Sequence, residues 1–475
     1  MPEETKSFDL VVIGGGPAGI IGATTAAALG KTVAVVDNHH ELGGAGANTG
    51  TVPSKTLRET ALAFSGMKSR NLYGVDLSLR REATVADFLH HERDVKHALN
   101  HSLSKRLKAC ATTVYYGTAE FTDPHTIRVR LHNGENSSEE VSIRGEHVLI
   151  ATGSAPVHPE GFPFGSAEVY DSDTILDLDR LPGTMAVVGC GAIGSEYACT
   201  FAALGTQVHL IDSRDVLLPF LDSELSRALT AAMEKNGITF HWKQKVTTYS
   251  AQPSGAVALT FESGETLKVD AVLIAAGRKS NVEILNLAAA GVATGDHGVI
   301  PVDGYYRTNV SNIFAAGDVV GFPALASTSM EQARRAVRHA FGADFSSHAS
   351  SLLPTGVYTI PEVSMVGETE ESLRTAGVDY IVGRGLYGAC ARGRIIGDTD
   401  GFLKLIFRQL DMKLLGVHAI GEQATELVHV GLIALLGGCS VSIFDEACFN
   451  IPTLGALYKT AALDALTAAR KLTVS

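Results

Sequence analysis

Phe8-Asp-Leu-Val-Val-Ile-Gly-Gly-Gly-Pro-Ala-Gly19 opens the chain, and Met185-Ala-Val-Val-Gly-Cys-Gly-Ala-Ile-Gly194 repeats its pattern in the middle. In both, an apolar run of strand length meets Gly-x-Gly-x-x-Gly, and an Ala-rich stretch of helical character follows. A second apolar run then ends in an acid: Thr32-Val-Ala-Val-Val-Asp37 in the first copy, Val208-His-Leu-Ile-Asp212 in the second. The first glycine and the acid stand 23 residues apart in each, Gly14 to Asp37 and Gly189 to Asp212. Strand, glycine turn, helix and strand in that order make the dinucleotide-binding βαβ unit. Gly14 and Gly189 permit the tight turn. Gly16 and Gly191 let the backbone approach a pyrophosphate, and Gly19 and Gly194 let helix close on strand. The helix start offers free N–H groups and a positive dipole end to phosphate, and the acid is placed to accept from ribose hydroxyls. Two dinucleotides on one chain are expected.

Further strands follow each unit. His147-Val-Leu-Ile-Ala-Thr-Gly153 and Ala271-Val-Leu-Ile-Ala-Ala-Gly277 end in similar glycines, and each returns the chain across its unit. Asn312-Ile-Phe-Ala-Ala316 precedes Gly317-Asp318, and Ser327 to Arg335 reads as a helix start. From about Ser346 the fingerprints stop. Strands at Gly356–Thr359 and Phe402–Phe407 alternate with helices starting near Ala424 and Pro452, which reads as an α+β unit. The expected fold is α/β: two Rossmann-like dinucleotide-binding domains plus a C-terminal α+β domain. The divisions fall at 1–155, 156–280, 281–345 and 346–475, with the third segment completing the first domain.

Composition narrows the function. The 475 residues carry 39 Lys+Arg against 51 Asp+Glu, a formal charge of −12, which argues against nucleic acid because phosphate contacts need a basic face. No apolar stretch approaches the roughly 20 residues that span a bilayer. No basic segment followed by an apolar one opens the chain, so a cytoplasmic protein is expected. Of the six cysteines, the closest pairs are nine residues apart, so there is neither a CxxC metal knuckle nor a CxxC redox pair. His418 and His429 have no metal-ligand partner at suitable spacing, so no metal site is expected and core or interface roles are favoured. Cys448 is expected as a buried small hydrophobe, and His39 and His40 as loop residues beside the first acid.

The order of motifs resembles the pyridine nucleotide–disulfide oxidoreductase family over nearly the whole chain. The resemblance implies FAD on the first unit, NAD(H) or NADP(H) on the second, and a last domain that makes a homodimer. It places Asp318 on the ribityl chain of the flavin, Asp37 on the FAD ribose, and Lys55 with Glu196 as a pair near the reactive nitrogen. The disulfide frame departs from the family. Gly43-Gly-Ala-Gly-Ala-Asn-Thr-Gly-Thr-Val-Pro-Ser-Lys55 keeps the spacing, but Gly46 and Thr51 occupy the two cysteine positions. Asn450-Ile-Pro-Thr-Leu-Gly-Ala456 puts Ile451 at the family's His and Ala456 at its Glu. A base that serves thiol chemistry has no task once the thiol is gone. Within the family the likeness is to the Si-specific transhydrogenase group, through Tyr170-Asp-Ser-Asp-Thr-Ile175, Gly317 to Ser327, Pro354 to Glu362 and Phe449-Asn-Ile-Pro-Thr453. That group also has Thr at the second cysteine position, but keeps the first cysteine and the late Glu.

Without a disulfide, the simplest exit for electrons is a second nicotinamide. The expected activity is therefore hydride exchange between NADPH and NAD⁺ through flavin, with Lys55, Glu196 and Thr51 at the reacting end. An NADH-dependent diaphorase or quinone reductase, and a non-catalytic flavin-binding module, are the alternatives. Asp212 favours NAD(H): a carboxylate at contact distance from a 2′-phosphate costs roughly 4 kcal/mol at an effective dielectric near 20. Arg214, or Arg278 and Lys279 after the Gly277 turn, would offset that repulsion.

Overall fold

The computed structural model describes residues 5–65, 84–132, 139–251, 255–343 and 352–474. The opening residues 1–4 and the boundary expected at 345–346 lie outside them. Strand Lys6–Ile13 sits at the centre of the first sheet, parallel to Val33–Asp37 on one side and to the end of Glu140–Ile150 on the other. Thr113–Phe121 adds beyond Val33–Asp37, and Ile313–Ala315 beyond Glu140–Ile150. Thr126–Leu131 closes an antiparallel meander between Thr113–Phe121 and Glu140–Ile150. Leu10 to Ile13 and Val33 to Val36 are buried on both faces, which is why they read as unbroken apolar runs rather than alternating ones. Helices Pro17–Ala28 and Ala326–Ala340 share one face, where Ala23, Ala26, Ala333 and Val337 pack on Val12, Val35 and Leu149.

The second sheet is parallel throughout, in the order Thr239–Trp242, Gln207–Asp212, Thr184–Val188, Ala271–Ile274 and Val169–Tyr170. A meander of Val246–Ala251, Val257–Phe261 and Thr266–Val269 covers one face with Val257, Leu259 and Phe261. The chain crosses between the two sheets through a short antiparallel pair, Ser154–Pro156 with Arg278–Ser280. The third sheet is antiparallel, in the order Thr355–Val357, Val363–Gly367, Leu414–Ile420, Phe402–Arg408 and Tyr380–Leu386. Helices Ala424–Leu436 and Leu457–Val474 pack on it through Leu427, Val428, Tyr458 and Ala461. The last helix starts five residues after the expected Pro452, because Thr453-Leu-Gly-Ala456 runs through a tight turn first. No helix among the described residues is long and apolar enough to cross a membrane.

The two glycine units superimpose in their constraints. Gly14 and Gly189 have φ of 105° and 108°, and a Cβ on either would lie 2.3 Å from a carbonyl oxygen, of Ala151 and Ala275 respectively. A Cβ on Gly19 would stand 1.8 Å from Gly14 O, and one on Gly194 2.0 Å from Gly189 O. The backbone of the turn cannot yield without tearing the helix from the strand. Gly194→Ala is accordingly expected to destabilise the protein by about 3 kcal/mol or more, the upper end of overpacking costs, read as a lowered urea midpoint at unchanged slope.

One ion group joins strand Phe402–Arg408 to the start of helix Ser223–Lys235 and to helix Glu370–Ala376. Lys404, fully buried on strand Phe402–Arg408, places its Nζ 2.8 Å from Asp222 Oδ1, 3.0 Å from Glu224 Oε2 and 2.5 Å from Glu370 Oε1. The three carboxylates lie within 4.8 Å of one another, as around a cation, and the Lys404 ammonium is the cation they hold. Asp222 also caps helix Ser223–Lys235 by accepting from Glu224 N–H at 3.0 Å.

Candidate active site

A cavity of about 1080 Å³ runs along the first sheet and under the second. Its lining begins at Asp37 and His39, passes Gly14, Gly16, Gly153, Gly317 and Asp318, and reaches Thr51, Lys55 and Glu196; Tyr358 and His429 close its far end. Nine candidate catalytic and cofactor-binding residues thus share one space: Gly14, Gly16, Asp37, Thr51, Lys55, Gly153, Glu196, Gly317 and Asp318. Gly19 packs beneath the turn instead. Gly189, Gly191, Gly194, Asp212, Arg214 and Gly277 belong to the second sheet and lie outside that lining.

Gly16 is the N-cap of helix Pro17–Ala28, and the nearest atom to a Cβ there is Gly44 Cα at 3.9 Å. Two glycine backbones therefore face each other across a space that side chains would fill, next to a helix start that attracts anions. A Cβ on Gly153 would meet nothing within 4 Å, so that turn also faces open space. Asp37 accepts from the N–H groups of Gly15 at 2.5 Å and His39 at 2.8 Å. Burial holds its carboxyl above the ordinary value against those bonds. The His40 ring lies on Tyr116 with centroids 4.8 Å apart.

Helices Thr51–Phe64 and Ala192–Ala203 bring Lys55 and Glu196 together, 141 residues apart in sequence. Lys55 Nζ donates to Glu196 Oε2 at 2.5 Å and to Ser54 Oγ at 3.3 Å. Glu196 Oε1 accepts from Tyr358 N–H at 2.9 Å, so both of its oxygens are engaged and it is nearly buried. An ammonium has three donors, which leaves Lys55 one for a ligand in the cavity. Its Nζ also sits 5.2 Å from the Tyr358 ring centroid.

Beside Asp318 the structure reassigns a cation. Ser154 Oγ donates to Asp318 Oδ2 at 2.7 Å. Arg278 Nε donates to Ser154 Oγ at 2.8 Å, its Nη2 to Ser154 O at 2.7 Å, and its Nη1 to Ser172 Oγ at 3.3 Å. Arg278 is thus committed to the crossing between the sheets, and Lys279 pairs with Glu283 at 3.0 Å. Of the two alternatives for Asp212, these two residues are therefore not the one that meets it; Arg214 is. No sequence signal gives Ser154 a role, because only the pairing of Ser154–Pro156 with Arg278–Ser280 brings it to the site, where Arg278 also reaches Ser172.

At the second unit, Asp212 Oδ2 accepts from Cys190 N–H at 2.8 Å and Arg214 Nη2 at 2.7 Å; Oδ1 accepts from Arg214 N–H and Nε, both at 2.9 Å. Burial alone would raise this carboxyl. The bonds from Arg214 and Cys190 outweigh burial and bring it down to about 2, so Asp212 is charged at neutral pH.

The thiol question has a steric side. Gly46 lies in the short helix Gly44–Asn48, and a Cβ there would stand 2.7 Å from Pro17 Cγ. Thr51 is exposed and lines the cavity. All six cysteines are free. Cys190 and Cys199 are buried, and burial pushes both thiols up, Cys199 to about 12. One expectation is overturned. Cys448 is exposed, because the segment between helix Ser442–Glu446 and the Leu454 turn runs over the surface. His418 is fully buried, with Nε2 on Glu368 O at 2.9 Å, which fits the core role expected, while His429 is exposed on this chain and lines the cavity.

Comparison with known proteins adds an independent line. Residues 8–340 match the family model described as pyridine nucleotide-disulphide oxidoreductase, and residues 353–462 match the dimerisation domain of the same family. A soluble pyridine nucleotide transhydrogenase of Mycobacterium bovis is 43% identical over 98% of this chain and 99% of its own. Another of that name, from Pectobacterium atrosepticum, is 36% identical over 98% of both chains. Among solved structures, LpdA from Mycobacterium tuberculosis aligns with a TM-score of 0.87 at 25% identity, covering 97% of this chain and 99% of that one. RclA, a HOCl-induced flavoprotein disulfide reductase from Escherichia coli, aligns at 0.85 and 27%, covering 96% and 99%.

Proposed function

This chain belongs to the pyridine nucleotide–disulphide oxidoreductase family, and from that membership we propose that it is an FAD-dependent transhydrogenase exchanging hydride between NADPH and NAD⁺ without a redox disulfide. The segments 1–155 and 281–345 hold FAD, 156–280 holds the nicotinamide nucleotide, and 346–475 makes a homodimer. Exposed Val430, Ile433 and Leu436 on one helix, with Ile443, Ile451 and Leu463, supply an apolar face suited to a second copy.

The observation that carries the activity is the cavity itself. It joins the glycine turn to the Lys55–Glu196 pair and is lined by Gly46 and Thr51, the residues that the resemblance sets at the two thiol positions. FAD, when bound, supplies a reversible two-electron acceptor. The residues present fit it: Gly16, Gly44 and Gly153 leave room for a pyrophosphate, Asp37 offers a carboxylate to a ribose, and Asp318 with Ser154 offers polar groups to the ribityl chain. Lys55 stabilises the negative charge that hydride transfer delivers, as a pre-positioned cation in a partly enclosed site. Glu196 holds Lys55 in place, and Tyr358 N–H holds Glu196. Thr51 fills the second thiol position without a redox role. The remaining buried thiols, Cys190 and Cys199, stay protonated and so are poor nucleophiles. Gly191 and Gly277, where a Cβ would meet nothing within 4 Å, leave the second unit open to a nicotinamide nucleotide, with Gly189 and Gly194 shaping its turn and Asp212 at its ribose.

An NADH-dependent diaphorase remains the second reading, and the charge on Asp212 is the observation that favours it. Anaerobic titration of the purified protein separates the two. Both NADH and NADPH are expected to bleach the flavin, with full reduction by dithionite at about two electrons per flavin, and NAD⁺ is expected to reoxidise it. Reduction by NADH alone would leave the diaphorase. A demand for about four electrons per flavin would reveal a disulfide partner, and no reduction by either nucleotide would leave a non-catalytic flavin module.

A further inference from the structure

The two glycine units form an internal comparison around their terminal acids. In each, a loop N–H donates to one carboxylate oxygen: Gly15 to Asp37 at 2.5 Å, Cys190 to Asp212 at 2.8 Å. In each, the N–H two residues past the acid donates to the other oxygen: His39 at 2.8 Å, Arg214 at 2.9 Å. The match ends at the side chain of that residue. Arg214 turns its guanidinium back and clasps both oxygens of Asp212, Nε at 2.9 Å and Nη2 at 2.7 Å.

A carboxylate has about four acceptor sites. Asp37 has two of them taken by these backbone bonds and keeps the rest for a ribose. Asp212 has two donors on each oxygen, so a ribose hydroxyl reaches it only when the guanidinium withdraws. The geometry allows withdrawal without moving the backbone. Arg214 N–H stays on Asp212 and Arg214 O accepts from Lys243 N–H at 3.1 Å, while the side chain is half exposed. Its neighbour Lys243 is engaged by Asp215 at 2.9 Å.

We infer that Arg214 is a reversible counter-ion that lets one adenosine-ribose site take either form of the nucleotide, an inference that rests on the proposed use of both nicotinamides. With a 2′-hydroxyl, the guanidinium leaves Asp212 and the freed oxygens accept from the ribose. With a 2′-phosphate, the guanidinium turns its planar donors to the phosphate oxygens. Asp212 then keeps its bonds from Cys190 N–H and Arg214 N–H, away from the anion.

The test uses the flavin-loaded full-length protein and two probes without nicotinamide, ADP-ribose and 2′-phospho-ADP-ribose, titrated calorimetrically. Arg214→Ala is expected to weaken the 2′-phosphate probe by about tenfold or more, and to leave ADP-ribose bound as tightly or more tightly. Arg214→Lys is expected to fall between, since it keeps charge without the planar fork. Retained flavin and an unchanged circular dichroism spectrum show that the variants are folded. Equal loss for both probes, or no loss for either, overturns the inference while leaving hydride exchange by the wild type intact. If the phosphate probe depends on Arg214 but no hydride passes from NADPH to NAD⁺, the inference stands and the transhydrogenase assignment falls. Wild-type protein that rejects the phosphate probe altogether overturns both.

Discussion

Lys55→Met is expected to slow anaerobic reduction of the flavin by NADH by at least about tenfold, which is about 1.4 kcal/mol of lost transition-state stabilisation, while the flavin remains bound. The substitution keeps the length of the side chain and removes only its charge and donors. Hydride delivery places negative charge at the acceptor, and a fixed cation is worth most where charge develops and water is thinned. The Lys55–Glu196–Tyr358 chain fixes that cation from three parts of the fold, since Glu196 spends one oxygen on each partner. Stopped-flow traces at saturating NADH report the step itself. An unchanged rate with intact flavin absorbance would remove the role. Glu196→Gln is a positioning change, and should lower the rate less than Lys55→Met while leaving nucleotide affinity near wild type.

Lys404→Met is expected to cost about 3–5 kcal/mol of stability at neutral pH, the range found when one partner of a buried ion group is removed. Asp222, Glu224 and Glu370 would be left facing one another, Asp222 buried and the two glutamates only partly exposed. The pH dependence has a definite sign. Burial raises these carboxyls, but the bonds from Lys404 and, for Glu224, Arg384 outweigh it, so all three sit below their ordinary values. Their contribution in the wild type is present above the unfolded carboxylate range and is lost as pH falls through the depressed folded values. Without the ammonium the same groups gain from protonation. The gap between wild type and variant is therefore expected to narrow as pH falls from 7 toward about 5, measured by urea unfolding at each pH. A gap that widens on acidification would show that the carboxylates do not depend on Lys404.

Some of the site was legible because its determinants are local. A glycine turn that needs φ near 105°, a helix that must start at once, and an acid one strand later all lie within a single βαβ unit, so spacing alone exposes them. Lys55 and Glu196 were found by resemblance, through Val-Pro-Ser before the lysine and the second fingerprint before the glutamate. Their 2.5 Å contact spans 141 residues, and nothing in either local pattern shows it. The position of Arg278 after the Gly277 turn suggests the second nucleotide, while strand pairing turns it toward Ser154 and Asp318. For Cys448 a small apolar residue type suggests burial, yet the segment runs over the surface, which residue type does not report.

Residue type at fixed local spacing establishes that this chain folds as two dinucleotide units and an α+β unit, and that the segment Gly43–Lys55 carries Gly46 and Thr51 and no cysteine. Backbone sterics and side-chain chemistry translate such spacing directly. Which charges meet is set by packing between distant segments. The tertiary structure pairs Arg214 with Asp212 rather than leaving that acid bare, turns Arg278 toward the other sheet, and sets Lys404 among three carboxylates from separate elements. Such pairings depend on directions taken by side chains after distant strands register, and a charge gains or loses value by its neighbours and its burial rather than by its place in the chain.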